Sequence, residues 1–233
     1  MTDKNYIVAT LRPWNINVFN KVISKYAGKW HLVTQPTDLT VELVERLKPR
    51  YVFFPHWSYI VSEEILNIVE CVCFHEADLP YGRGGSPVQN LIARGHKETM
   101  ISALRMVEEL DAGSVYLKRP LSLEGLAEEI FIRTSKIVAE MILEIITKEP
   151  VPKEQGGKVS LFSRRKPEQS EVNKELKSLE ELFDHIRMLD ASEYPRAFIR
   201  YGRFRFEISR PALRTNSIEA NLRITKGLNG KNE

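Results

Sequence analysis

The sequence is poor in the features that would brace a chain or anchor it in a membrane. Only two of its 233 residues are cysteines, Cys71 and Cys73, and a disulfide between residues so close on one strand would be strained. This predicts a reducing, cytoplasmic location. The longest apolar-leaning run, 137–146, is broken by Glu140 and Glu144 and is far shorter than the roughly 20 apolar residues of a membrane span. The polar amino-terminal residues do not resemble an export leader, so neither a membrane nor export is expected.

Phosphate-binding fingerprints, internal repeats and heptads are also missing. The glycine spacings of dinucleotide-binding loops and of P-loops do not occur, so nucleotide hydrolysis has no support, and no metal site is expected. Hydrophobic residues make up 42% of the chain and charged residues 28%, which excludes disordered, collagen-like and coiled-coil classes. The sequence therefore predicts a folded globular protein.

The net charge of +3 is unevenly distributed along the chain. Residues 151–233 carry 17 basic and 12 acidic residues, whereas residues 1–150 carry 17 and 19. A phosphate-facing surface could form from Arg164, Arg165, Lys166, Arg196, Arg200, Arg203, Arg205, Arg210 and Arg214. Arginines scattered over strands more often mark a solvated face, so no nucleic-acid partner is expected.

Alternating strand and helix patterns predict an open, mostly parallel, Rossmann-like α/β sheet. Strand-like runs occupy 6–10, 30–33, 51–54 and 69–74, and helical spacings occupy 15–26, 37–47 and 62–68. After a glycine-rich loop, 88–94 is predicted helical, 99–107 and 114–119 extended, and 123–147 a long amphipathic helix. The second half of the sheet is expected to be mixed.

A segment at 149–158, with two prolines and a Gly-Gly pair, is the best candidate for a linker. It divides the chain into a predicted catalytic domain, 1–150, and a small α+β extension, 151–233. The extension is predicted to hold a helix at about 176–189 and a hairpin formed by 197–201 and 203–208. Residues 227–233 are expected to be frayed.

The most informative motif follows the fourth predicted strand. It reads H-x-x-x-L-P-x-x-R-G-x-x-P, beginning at His75, and Asp111 comes later in the sequence Leu-Asp-Ala-Gly. Groups beyond the carboxyl ends of parallel strands face the ligand crevice. Taken alone, a histidine there is more often structural, and the aspartate could simply close a hairpin. Together, the two motifs resemble the folate-dependent formyltransferases.

This resemblance covers most of residues 5–150 and implies specific roles. It makes His75 and Asp111 the catalytic pair and 10-formyltetrahydrofolate the formyl donor. Attack of an amine on the formyl carbon produces a negative oxygen and an acidic ammonium, so a base and an oxyanion partner are both needed. The family has an asparagine where this chain has Cys73, and a thiol is a weak hydrogen-bond donor. Cys73 either remains a catalytic group or is only a small buried strand residue.

The resemblance also implies binding residues for the donor and the acceptor. The pterin is expected against two segments that contain Phe54, Trp57, Tyr59, Ile60, Val107 and Leu110. Trp57 has an alternative interpretation as a packing residue. The first strand-to-helix turn and the glycine-rich loop are expected to bind the acceptor through Arg12, Trp14, Asn15, Tyr81, Arg83 and Gly84. Arg83 could instead be structural, tying its loop to a strand end.

Within the family, the amino-sugar N-formyltransferases look most similar. Residues 54–58, 164–170 and 186–198 resemble those enzymes, and the tail after the linker is short for a methionyl-tRNA enzyme. The expected acceptor is a nucleotide-linked 4-amino-4,6-dideoxy sugar, UDP-4-amino-4,6-dideoxy-N-acetylaltrosamine of pseudaminic acid biosynthesis, and the expected assembly is a homodimer. Two alternatives remain: a methionyl-tRNA formyltransferase-like enzyme, and a catalytically dead folate or nucleotide-sugar binding protein.

Overall fold

A computed structural model describes residues 4–227 of the chain. The strands, in chain order, are β1 (Asn5–Ala9), β2 (Lys29–Val33), β3 (Tyr51–Pro55), β4 (Cys71–His75), β5 (Tyr81–Gly84), β6 (Glu98–Arg105), β7 (Val115–Ser122), β8 (Ser160–Phe162), β9 (Ala197–Tyr201), β10 (Phe204–Leu213) and β11 (Ile218–Lys226). The α-helices are α1 (Pro13–Lys21), α2 (Val41–Leu47), α3 (Glu63–Ile68), α4 (Pro87–Ile92), α5 (Ala127–Lys148) and α6 (Leu179–Arg187). No helix among these residues is long and apolar enough to span a bilayer.

The central sheet has six strands in the order β2-β1-β3-β4-β6-β7. Strands β1 to β4 pair in parallel, and β6 pairs antiparallel to β4, so the predicted mixed second half is confirmed. The inner strands β1, β3 and β4 are buried along nearly their whole length, which explains their continuous apolar runs. The predicted open, mostly parallel, Rossmann-like sheet and the small α+β extension are confirmed.

The helices begin where the sequence supplies suitable first residues. The hydroxyls of Thr40, Ser62 and Ser178 accept hydrogen bonds from backbone amides in the first turns of α2, α3 and α6. Helix α1 has Pro13 in its first turn and is shorter than the predicted helix over 15–26: it ends at Lys21, and a 3₁₀ turn follows.

Contacts divide the chain into two compact units that interleave along the sequence. The first comprises Met1–Pro87, Thr99–Leu121 and Phe131–Phe162, and the second comprises Val88–Glu98, Ser122–Ile130 and Ser163–Glu233. The predicted domain boundary after residue 150 stays a prediction. In the second unit, the predicted hairpin is a three-stranded antiparallel sheet, β11-β10-β9, because 218–226 adds a strand that the sequence analysis missed. Residues 228–233 of the predicted frayed end lie outside the described part.

Two short strands that were not predicted from the sequence pair within the first unit. Strand β5 follows the active-site motif, and β8 comes from the chain just after the predicted linker. Gly84 permits this pairing: its φ is +108°, and a Cβ on it would lie 2.3 Å from the carbonyl oxygen of Phe162. Two segments far apart in sequence therefore meet beside His75.

Candidate active site

His75 ends β4 and is almost fully buried, with 7% of its surface exposed. Its Nε2 lies 2.7 Å from the carbonyl oxygen of Gly82. A carbonyl oxygen only accepts hydrogen bonds, so Nε2 carries a hydrogen. The other ring nitrogen, Nδ1, is thereby left to face the rest of the site.

Asp111 approaches His75 from the loop between β6 and β7. Its Oδ2 lies 3.6 Å from His75 Nδ1 and accepts a hydrogen bond of 2.9 Å from the backbone amide of Gly84. The distance to His75 is longer than a hydrogen bond, as is common for catalytic pairs without substrate. The structure thus brings together the two residues that the formyltransferase resemblance selected.

The loop that carries Asp111 folds back over one face of β4. Met106 follows β6, donates its backbone amide to the carbonyl of Cys71, and packs against the apolar cluster that includes that residue. Asp111 has a φ of +54°, a left-handed conformation that aspartate tolerates better than most residues. A Cβ on Gly113 would lie 1.8 Å from the carbonyl oxygen of Arg105, so only glycine fits the return of the loop to β7.

Cys73 shares a face of β4 with His75, since successive residues of a strand alternate sides. It packs against the apolar cluster around Phe54 and Cys71. Burial raises the pKa of its thiol well above the usual range, and the negative charge of Asp111 raises this pKa further. The side chain is therefore a protonated, weakly donating thiol beside the catalytic pair.

We expect Cys73→Asn to keep or raise turnover, because an amide donor would replace the weak thiol donor on the face that carries His75. Initial-rate kinetics and thermal unfolding of the variant test this expectation. Cys73→Ala is the comparison: full activity would show that the side chain donates nothing. If Asn instead destabilises the protein by roughly 1–3 kcal/mol, the position is a closed apolar site with no partner for the amide.

The sequence analysis missed two residues of this site. Glu76 follows His75 and is buried; burial raises the pKa of its carboxyl, while the charge of His75 lowers it. Gln155, inside the predicted linker, donates hydrogen bonds to the backbone carbonyls of Asp111 and Gly113. The position of Glu76 directly after His75 is a signal that could have identified it. The sequence around Gln155 contains no such signal. No group of three or more metal-binding side chains occurs among residues 4–227.

Of the two segments predicted to bind the pterin, the first borders the apolar cluster, and Met106, just before the second, packs against the same cluster. Phe54 is buried in it, and Trp57 packs against it from the loop after β3. The exposed members are Tyr59, Ile60, Val107 and Leu110, with 53%, 100%, 43% and 69% of their surfaces accessible. The indole Nε1 of Trp57 is buried without a hydrogen-bond partner in the described part of the chain. Exposed apolar side chains suit a flat heteroaromatic ring. These residues therefore fit the pterin ring of the predicted folate.

The residues predicted at the first turn make mainly internal contacts. Trp14 is buried and stacks on Phe131, with ring centroids 5.3 Å apart. Asn15 is buried and donates to Thr10 Oγ1 and to the Pro55 carbonyl, both at 3.2 Å. Arg12 is half-exposed just before α1. The acceptor-binding roles of Arg12, Trp14 and Asn15 stay predictions.

The predicted residues of the glycine-rich loop lie beside Asp111. Tyr81 packs edge-on against Phe162, and Gly84 donates its amide to Asp111. Arg83 donates to Gln155 Oε1 at 3.1 Å and to Glu109 Oε1 at 3.0 Å. These contacts favour the structural alternative for Arg83, and acceptor binding by the three residues stays a prediction.

Comparison with known proteins identifies the family. Residues 15–128 match the formyl transferase family, and residues 167–225 match the methionyl-tRNA formyltransferase C-terminal domain. A solved structure, the methionyl-tRNA formyltransferase from Clostridium thermocellum, is 47% identical with a TM-score of 0.93, covering 96% of this chain and 100% of that one. The Mesoplasma florum methionyl-tRNA formyltransferase is 26% identical over 81% of this chain but only 63% of its own length.

Sugar N-formyltransferases are more distant. A likely sugar N-formyltransferase from Mycobacterium tuberculosis shares the fold at 16% identity and a TM-score of 0.66, with 84% of this chain and 91% of that one covered. The predicted nucleotide-sugar acceptor of the pseudaminic acid type, and the expectation of no nucleic-acid partner, are therefore wrong. The short tail misled the sequence analysis, because it matches the C-terminal domain of the methionyl-tRNA enzymes.

Other predictions agree with these matches. The predicted formyl-transferring class of enzyme and its folate donor are confirmed at the level of the family. The cytoplasmic location and the homodimer stay predictions. The chain spans less than two thirds of the curated relative from Mesoplasma florum, but it covers the whole of the Clostridium thermocellum structure. With the His75–Asp111 pair in place and this degree of similarity, the chain belongs to the formyltransferase family.

Proposed function

We propose that this protein transfers the formyl group of 10-formyltetrahydrofolate to the α-amino group of methionyl-tRNA. The observation that carries the proposal is the 47% identity, over nearly the whole chain, to a structure described as a methionyl-tRNA formyltransferase. The match of residues 167–225 to the C-terminal domain of those enzymes supports the same acceptor.

His75 and Asp111 supply the proton chemistry of this reaction. Nε2 of His75 is committed to the Gly82 carbonyl, so Nδ1 is the nitrogen that exchanges protons in the site. Asp111 lies beside Nδ1 with a carboxylate that can orient the imidazole and accept the proton lost by the amine. The Gly84 amide donates a hydrogen bond to Oδ2 of Asp111. The orientation of this carboxylate is therefore largely fixed before substrate binds.

The loops after β3 and β6 would hold the donor. Tyr59, Ile60, Val107 and Leu110 offer exposed apolar surface, next to loops that also carry the buried indole of Trp57. When bound, the folate would supply the formyl group: the bond between its nitrogen and the formyl carbon breaks as the bond to the amine forms, and the proton lost by the amine ends on the folate nitrogen. The half-buried Cys73, which packs against the apolar cluster, lies on the same face of β4 as His75.

Basic residues of the tail would contribute to tRNA binding. Residues 151–233 have a surplus of basic over acidic residues, 17 against 12, which favours a polyanion. Several of these arginines pair with carboxylates, including Arg196 with Asp190 and Arg214 with Glu219, and these pairs reduce the charge available to phosphates. We therefore assign the tail a modest electrostatic share of binding.

The test is direct formylation of methionyl-tRNA. The protein is incubated with charged initiator tRNA and 10-formyltetrahydrofolate, and the released amino acid is analysed by mass spectrometry. We expect formylmethionine, and a tRNA affinity that falls as salt rises. Free methionine and uncharged tRNA serve as controls. Folate binding without any formylmethionine would contradict the proposal, as would an unchanged tRNA affinity between low and high salt.

A further inference from the structure

Gln155 joins the catalytic loop to the chain that follows α5. Its side-chain Nε2 donates to the carbonyl oxygens of Asp111 and Gly113 at 2.7 and 2.8 Å. One amide group thus holds the backbone on both sides of Ala112. It satisfies two carbonyls that a loop outside any sheet would otherwise leave to water.

The orientation of this amide is fixed from its other side. Arg83 donates through Nε to the Oε1 of Gln155 at 3.1 Å, and the side chain of Arg83 is only 13% exposed. A guanidinium donates but never accepts, so the amide oxygen must face Arg83 and the NH₂ group must face the loop. The Arg83 head group also binds Glu109, at the start of the same loop.

The segment that carries Gln155 is itself anchored. Lys153 and Val115 exchange two backbone hydrogen bonds, of 2.7 and 2.9 Å, in an antiparallel bridge. This bridge ties the backbone two residues before Gln155 to the first residue of β7. The amide therefore acts from a supported backbone and not from a free linker.

The conformation that Gln155 secures is one that the loop would not favour alone. Asp111 has a φ of +54°, and a residue other than glycine in this region costs of the order of 1–3 kcal/mol unless its surroundings impose it. With this backbone, Oδ2 accepts from the Gly84 amide and lies 3.6 Å from Nδ1 of His75. Gln155 binds the backbone on the carboxyl side of Asp111, at the carbonyls of Asp111 and Gly113.

We infer that Gln155 is a positioning residue for formyl transfer, which acts by holding the Asp111 backbone so that the carboxylate stays beside His75. The expected loss of kcat rests on the proposed function. The hold of Gln155 on the Asp111 backbone does not. Gln155 touches neither reactant, so its loss should lower kcat and leave the KM for the folate donor nearly unchanged.

Two variants separate the donor role from packing. Gln155→Met keeps the length and removes every hydrogen bond, whereas Gln155→Glu keeps the acceptor for Arg83 and removes the two donors. We expect both to lower kcat about ten- to a hundredfold, because small misplacements of a catalytic group cost this much. The neighbouring, exposed Glu154, changed to Gln, is the matched control and should retain the wild-type kcat.

Hydrogen exchange of single amides gives a readout that does not depend on activity. The Gly84 amide donates to Asp111, whereas the adjacent Gly85 amide donates to Phe162 O at 3.1 Å. In both Gln155 variants we expect faster exchange at Gly84 and unchanged exchange at Gly85. Equal Gly84 exchange in wild type and variants would overturn the inference, whatever the acceptor proves to be. A wild-type protein without formyl transfer, but with the Gly84 effect, would contradict the proposed function alone.

Discussion

Replacement of His75 by Asn is expected to reduce kcat for formyl transfer by at least about a hundredfold, the lower range of acid–base contributions. Asparagine is shorter than histidine: its amide reaches the position of Nδ1 but not that of Nε2, so it also loses the hydrogen bond to the Gly82 carbonyl. It cannot carry a proton to or from the reactants. Single-turnover kinetics at saturating folate measures the loss directly.

Asp111→Asn is expected to cause a loss of similar size. The amide oxygen of Asn can accept from Gly84 as the carboxylate does, but the negative charge beside His75 is gone. Because the two residues act as a unit, the double variant should be little worse than either single one. Asp38→Asn, on an exposed 3₁₀ turn, is the matched control. Near-normal turnover in either single variant would contradict the assignment of the pair.

The second large effect is expected at Gly113. In Gly113→Ala the new Cβ would lie 1.8 Å from the Arg105 carbonyl, so the backbone between β6 and β7 must move. That movement shifts the loop that carries Asp111, and we expect a loss of kcat of about a hundredfold. Forcing extra volume into a packed site also destabilises proteins by typically 1–3 kcal/mol, so the melting temperature should fall.

Gly156→Ala is the control for this prediction, since a Cβ there meets no atom within 4 Å. It should match the wild type in kcat, and its stability should be equal or slightly higher. Calorimetry and initial rates on the two variants separate a local clash from a general effect of losing a glycine. Wild-type turnover in Gly113→Ala would show that the loop can shift without displacing Asp111.

The sequence predicted the parts of this fold that local patterns encode. Strands β1, β3 and β4 are short buried apolar runs between helical spacings, so their type and order follow from periodicity. His75 was predicted from its position at a strand end and from the family motif. By contrast, β5 contains two glycines in four residues, and β8 is only three residues long. Each exists as a strand only because it pairs with the other.

The acceptor could not be predicted from the residues that do the chemistry. The proposed roles of His75 and Asp111 concern the formyl group of the folate and the amine of the acceptor. That amine is chemically alike in a sugar and in an aminoacyl-tRNA. The proposed recognition of a tRNA would involve the tail, where basic residues alternate with acidic partners such as Glu207, which lies near both Arg205 and Arg223. The local sequence around an arginine on a strand does not show whether its guanidinium binds a phosphate of a partner or a carboxylate of the protein.

The pairing of β5 with β8, and of Arg83 with Gln155, sets an order of events during synthesis. Arg83 and Gln155 are 72 residues apart in the chain. At roughly 5–20 residues per second, Arg83 leaves the ribosome about 4–14 seconds before Gln155, the residue that holds Asp111 in place. During that interval, the nascent chain can form most of the parallel sheet but not a positioned His75–Asp111 pair. Catalytic competence therefore comes as a late step of synthesis, after the sheet that supports it.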